Sequence, residues 1–143
     1  MISKTNPKRS YRVRSRADIT LGLLYLGVDI LVSVAAQLVL KNAMLRLGAF
    51  DAGAGWLNYV ATMALDVEVI GGLSLYGSGM ILWILCLSKL DLSLAYPIGT
   101  LQYILIFVGA WWLFDEQISP LRLTGMLVIC LGAFIMSVDL HKK

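Results

Sequence analysis

Four stretches of the chain are apolar for about twenty residues each, at positions 19–40, 69–88, 93–114 and 121–138. An α-helix rising 1.5 Å per residue needs about that length to cross ~30 Å of hydrocarbon. Polar positions collect in the breaks, at Lys89, Asp91 and the segment 115–120. Links this short make consecutive helices antiparallel neighbours. The pattern predicts an all-α integral membrane protein, a bundle of four transmembrane helices. The first connection, 42–68, is longer. Within it Trp56, Tyr59, Val60, Met63 and Val67 recur at helical spacing, with Asn58, Thr62 and Asp66 off that face. A segment of this length is too short to span, so it predicts an interfacial helix at 56–66 or an early start to the second span.

Composition agrees with the pattern. Hydrophobic residues make up 59% and charged residues 15% of the chain, against roughly 45–50% and about 25% in soluble domains. The formal charge is +3, and six of the twelve basic residues precede position 17. A basic arm can meet nucleic acid or anionic lipid, but beside a membrane span it sets orientation, so no nucleic-acid partner is expected. The arm and the long apolar stretch behind it do not have the form of a cleavable signal. With both ends cytoplasmic, nine basic residues lie inside and three (Lys41, Arg46, Arg122) outside, which predicts N-in, C-in. Residues 1–18 then form a cytoplasmic arm and 139–143 a cytoplasmic tail, and Trp56, Trp111 and Trp112 sit at the outer boundary as an aromatic belt. Cys86 and Cys130 lie in apolar runs without metal or redox spacing and read as small apolar residues.

The first span carries the candidate chemistry. Asp29, Ser33, Gln37 and Lys41 recur at four-residue steps, a polar stripe on one side of a helix from mid-membrane to the outer interface. A charge at the bilayer centre costs about 2.5–3.5 kcal/mol on insertion scales and so marks function by default. The stripe lines a pathway or glues helices together through hydrogen bonds. The small residues of the second span (Gly71, Gly72, Ser74, Gly77, Ser78, Gly79) predict a packing face or a flexible wall beside a substrate. Gly125 and Gly132 in the fourth predict packing or dimerisation. Tyr96 offers a hydroxyl and a ring near the start of the third span, where Pro97 falls within the first turn. Asp115 and Glu116 close that span at the level of Lys41 and Arg122. No nucleophile–base pair, metal-ligand cluster or phosphate loop occurs in the sequence, so neither an enzyme nor a cofactor is expected.

The first helix, with Tyr25-Leu26-Gly27, Ile30-Leu31 and Lys41, resembles that of the small multidrug resistance proteins, as do Ala95-Tyr96 and the run from Gly125 to Gly132. In those exporters the first helix holds a membrane-embedded Glu; Ser33 stands there in this chain, leaving Asp29, one turn away, to substitute. The chain is more similar to the aminoarabinose-lipid flippase branch of the drug/metabolite transporter (EamA-like) superfamily. The shared motifs are Ser33-Val34-Ala35-Ala36-Gln37 through Lys41-Asn42-Ala43, Ala95-Tyr96-Pro97, and Glu116-Gln117-Ile118-Ser119-Pro120. The basic arm and the long first loop depart from those short subunits. The resemblance implies a multi-pass subunit of the bacterial inner membrane that moves a polyprenyl-phosphate-linked sugar or similar amphiphile between leaflets. Four helices leave little room for an enclosed path and the small residues offer a contact face, which predicts a homodimer or a heterodimer with a paralogue. The candidate substrate-binding residues are Asp29, Ser33, Gln37, Lys41, Tyr96 and Glu116. The alternatives are a proton-coupled exporter of organic cations and a non-transporting accessory subunit.

Overall fold

The computed structural model describes residues 15–49 and 55–139. Most of the expected arm at 1–18 and of the tail at 139–143 lies outside them. Among the described residues there are six helices and no strand: α1 Arg16–Leu47, α2 Trp56–Leu65, α3 Val67–Lys89, α4 Leu92–Gly99, α5 Leu101–Phe114 and α6 Pro120–Asp139. Taking α4 and α5 as one broken rod, four helices are long and apolar enough to cross a membrane.

α1 starts where the Ser15 hydroxyl accepts from the Ala17 N–H and stops at Gly48, whose φ of 80° an L side chain rarely adopts. Its 32 residues make a rod of about 48 Å, longer than the hydrocarbon, so the helix continues past the expected end at residue 40. α2 is tied back to that end by the Tyr59 hydroxyl, which donates to the Gly48 carbonyl at 2.8 Å. α3 begins at Asp66, whose carboxylate accepts from the Glu68 and Val69 N–H groups at 3.0 and 3.1 Å.

α1 and α3 form the centre of the molecule. Gly22, Asp29, Ala36 and Ala43 are buried on α1, and Gly72, Gly79 and Cys86 on α3, each set repeating every seven residues. That period keeps one seam of a helix facing its neighbour, and small residues let the backbones approach. A Cβ added at Gly72 would stand 2.7 Å from Leu40, and at Gly79 2.8 Å from the Ser33 hydroxyl. Gly71 and Gly77, with nothing within 4 Å, do not share this face. Leu26, Ile30, Val34, Cys86, Leu90 and Ala95 fill the core where α1, α3 and α4 meet. α5 approaches α1 at Gly109, opposite Leu38. Large apolar side chains are exposed on every helix, Leu31, Ile81 and Leu127 among them, the surface a hydrocarbon solvent would cover.

One expectation needs correction. Pro97 falls in the second turn of its helix, not the first, because α4 begins at Leu92. There it lacks the N–H that would bond back one turn, and the rod breaks at Thr100. The Thr100 hydroxyl donates to the Pro97 carbonyl at 2.6 Å, and its N–H bonds to Tyr96 at 3.2 Å.

Candidate functional site

The break between α4 and α5 opens a cavity of about 570 Å³ beside the middle of α1. α1 supplies its polar floor, Asp29 and Ser33, with Ile30. α3 supplies Tyr76, Met80 and Trp83, one face of a helix by their spacing. The broken rod supplies Tyr96, Thr100, Gln102 and Tyr103. Trp83 and Tyr96 meet edge to face, with ring centroids 5.4 Å apart and planes at 86°, a favourable aromatic geometry that joins α3 to α4 in the cavity wall.

Asp29 is 6% exposed and Ser33 9%. The Ser33 hydroxyl donates to Asp29 Oδ1 at 3.2 Å. That is the carboxylate's one partner among the described residues, and no basic side chain reaches it. Gly79 makes this arrangement possible: a Cβ there would lie 3.1 Å from Oδ1.

The remaining candidates lie elsewhere. Gln37 is half-buried and outside the cavity lining. Lys41 Nζ pairs with Glu116 Oε1 at 2.9 Å, both side chains substantially exposed. The pair is set up by Asp115, whose left-handed φ of 50° ends α5 and turns the chain; Asp is among the few residues that tolerate this region. The stripe divides because four residues overshoot a 3.6-residue turn by about 40°, so three steps rotate the direction by about 120°. Asp29 and Ser33 thus face the cavity, while Lys41 faces the α5–α6 turn. The structure brings Asp29, Ser33 and Tyr96 together and sets Lys41 and Glu116 apart as an exposed ion pair near the C-terminal end of α1.

The same end of α1 holds a second ionic group. Arg46 Nη2 lies 2.6 Å from Asp66 and 3.7 Å from Glu68, and the Asn42 amide donates to Glu68 at 3.1 Å. Burial pushes the Asp66 carboxyl up, but the Val69 N–H, Arg46 and the Glu68 N–H outweigh it and hold the group below the usual carboxylate range. At the opposite end, Lys89 Nζ lies 2.6 Å from Asp18, joining the start of α1 to the end of α3.

Tyr76, Met80, Trp83, Thr100, Gln102 and Tyr103 were not among the candidates read from the sequence. Two signals in the sequence mark four of them: the helical spacing of Tyr76, Met80 and Trp83, and a lone amide, Gln102, in an otherwise apolar run. Among the described residues no cluster of His, Cys, Asp and Glu could hold a metal ion.

No protein-family model matches the chain, and no solved structure does. Curated relatives do. The probable 4-amino-4-deoxy-L-arabinose-phosphoundecaprenol flippase subunit ArnF of Erwinia tasmaniensis is 36% identical over 121 residues, 77% of this chain and 94% of that protein. The corresponding ArnE subunit of Sodalis glossinidius is 33% identical over 111 residues, 77% of this chain and 91% of that one. The ArnF subunit of Shewanella sediminis is 31% identical over 121 residues, 78% and 83% of the two chains. These relatives are named for transport, are of two subunit types, and each match covers more than three quarters of this chain. Identity at this level over most of both chains, joined to four membrane-length helices, shows that this multi-pass inner-membrane protein belongs to the ArnE/ArnF family of flippase subunits.

Proposed function

We propose that this chain is a carrier subunit that moves a polyprenyl-phosphate-linked aminosugar between the leaflets of the inner membrane. The observation that carries the reading is the cavity itself: a polar floor, Asp29 and Ser33, at mid-helix in a span that should otherwise be apolar. A sugar headgroup needs hydrogen-bonding partners on its way through hydrocarbon, whereas a prenyl tail needs none. On another side of Ile30, an apolar groove of about 410 Å³ between Gly27, Leu31, Leu101 and Leu105 suits the tail. At the boundary, the lipid's phosphate would compete with Glu116 for Lys41.

In this reading the termini are cytoplasmic, as the basic asymmetry favours, and α2 lies in the interface with its apolar side chains in lipid. The partner is a second copy or a paralogue; the division of the relatives into ArnE and ArnF types supports the paralogue. A membrane-impermeant amine-reactive reagent tests the function. Cells making the chain with its partner subunit should expose the sugar's amine to label at the outer surface, and cells lacking the chain should keep it protected. Equal labelling in both would refute the reading.

One observation favours a second reading. Asp29 is a carboxylate without a basic partner among the described residues, beside aromatic rings, and this also suits an organic cation carried in exchange for protons. Uptake of a quaternary ammonium dye into everted vesicles, dependent on a proton gradient and abolished by Asp29→Asn, would replace the flippase reading.

A further inference from the structure

Asp29 and Lys41 have so far stood as parts of one polar stripe. They are twelve positions apart on a continuous helix, a rise of about 18 Å at 1.5 Å per residue. An amine and a phosphate carried by one six-membered sugar ring are separated by little more than one helical turn, about 5.4 Å. Lys41 is also turned about 120° from Asp29 and engaged by Glu116, so a headgroup seated at Asp29 does not meet Lys41 in this arrangement, and the two residues serve different stages of its passage.

The chemistry around each residue assigns the parts. Among the described residues, Asp29 is the one charged group lining the mid-membrane cavity, and its partner there is the Ser33 hydroxyl. An ionised carboxylate in so apolar a setting is costly unless a cation joins it. Tyr76, Trp83, Tyr96 and Tyr103 line the same cavity, and aromatic faces attract cations, ammonium included. No basic residue among the described ones lines it, so a phosphate there would be served by neutral donors such as the Gln102 amide and the tyrosine hydroxyls. Lys41, by contrast, is a boundary cation already bound to a carboxylate, the kind of partner a phosphate can displace.

We infer that the cavity is an ammonium station, in which Asp29, oriented by Ser33 and roofed by the aromatic side chains, receives the primary amine of the sugar. Lys41 is a separate phosphate station about 18 Å away along α1. The inference rests on the flippase reading and extends it: selection for an amino over a hydroxy sugar is made in mid-membrane, while selection for a phospholipid-like anion is made at the surface. Asp29 and the rings act on the amine directly; Ser33 is a positioning residue.

The test compares two probes on the full-length protein with its partner subunit in nanodiscs: the phosphoprenyl lipid of the 4-amino sugar and the same lipid with hydroxyl in place of the amine. A charge-assisted bond contributes about 1.5–3 kcal/mol, so wild-type protein should bind the amino lipid about tenfold to a hundredfold more tightly. Asp29→Asn, nearly isosteric and still able to accept from Ser33, should bind both lipids equally, at the wild-type affinity for the hydroxy lipid. Asp29→Glu should restore part of the preference. Lys41→Ala should weaken the hydroxy lipid, which the cavity does not retain, more than the amino lipid, so the preference should persist or grow. A wild-type protein that binds both lipids equally, or an Asp29→Asn variant that keeps the preference, overturns the ammonium station while leaving the flippase reading standing. A wild-type protein that binds neither lipid overturns both. Loss of preference in Lys41→Ala overturns the separation into two stations.

Discussion

α1–α3 and α6 are both rich in small residues, yet they stand in opposite relations to the rest of the chain. Between α1 and α3, Gly72 and Gly79 sit where an added Cβ would come within 3 Å of Leu40 and Ser33. In α6, Gly125 and Gly132 have nothing within 4 Å, and no residue from 120 to 137 is buried. In the first case glycine permits contact between helices and makes room for a buried carboxylate. In the second it faces away from the other described helices. One helix pair carries the fold and the polar floor, and one helix is left over.

The contrast breaks most sharply on substitution. Gly79→Leu should destabilise the protein by about 3 kcal/mol, because overpacking a closed seam forces backbones apart and strikes the Asp29–Ser33 pair. Gly125→Leu should change the stability of the single chain by no more than about 0.5 kcal/mol. Thermal unfolding in detergent compares them, and equal shifts would remove the distinction. A Gly125→Leu chain that unfolds normally but fails to associate would assign α6 to a subunit contact.

The next effect concerns the boundary. Lys41→Ala and Glu116→Gln should each cost at most about 1 kcal/mol of stability, since an exposed ion pair contributes little, yet Lys41→Ala should reduce transport of the phospholipid severalfold. A fall in stability as large as that of Gly79→Leu would make Lys41 part of the packing, not of a pathway.

The spans and the polar stripe were legible in the sequence because both rest on one-dimensional periods: length against bilayer thickness, and four-residue recurrence. The division of the stripe was not, since the 40° drift at each step matters only once neighbours are known to lie on particular sides. The same reason kept Gly72 and Gly79 from being distinguished from Gly71 and Gly77, which have identical composition and opposite surroundings. The extension of α1 to Leu47 follows from a C-cap at Gly48, a stop signal that lies beyond the apolar run. The cavity depends on the break after Pro97, and its placement in the second turn turned on where α4 begins. Three of its lining residues, Tyr76, Met80 and Trp83, were visible as a helical face, but an aromatic face in a membrane helix more often meets lipid.

The smallest expected effect lies at the end of the α1–α3 pair. Asp66 is held below the usual carboxylate range by the Val69 N–H, Arg46 and the Glu68 N–H, against the opposing effect of burial. Its contribution to stability is therefore fully present above its unfolded value, about 3.9. It is lost as pH falls through the lower folded value. Asp66→Asn, which still caps a helix, should lower stability slightly at neutral pH and lessen the acid-dependent part of the loss. An unchanged acid profile would show that Arg46 and the cap do not hold α3 to the end of α1.

The most direct test of the central claim, that the headgroup travels through the cavity beside Asp29, is photo-crosslinking of the assembled flippase. The probe is a phosphoprenyl aminosugar carrying a diazirine on the sugar ring, and the adducts are mapped by mass spectrometry. The account predicts adducts on the cavity walls, at Tyr76–Trp83 of α3 and Tyr96–Tyr103 of the broken rod, suppressed by excess unlabelled lipid. Adducts confined to α6, with the cavity walls unmodified, would contradict it.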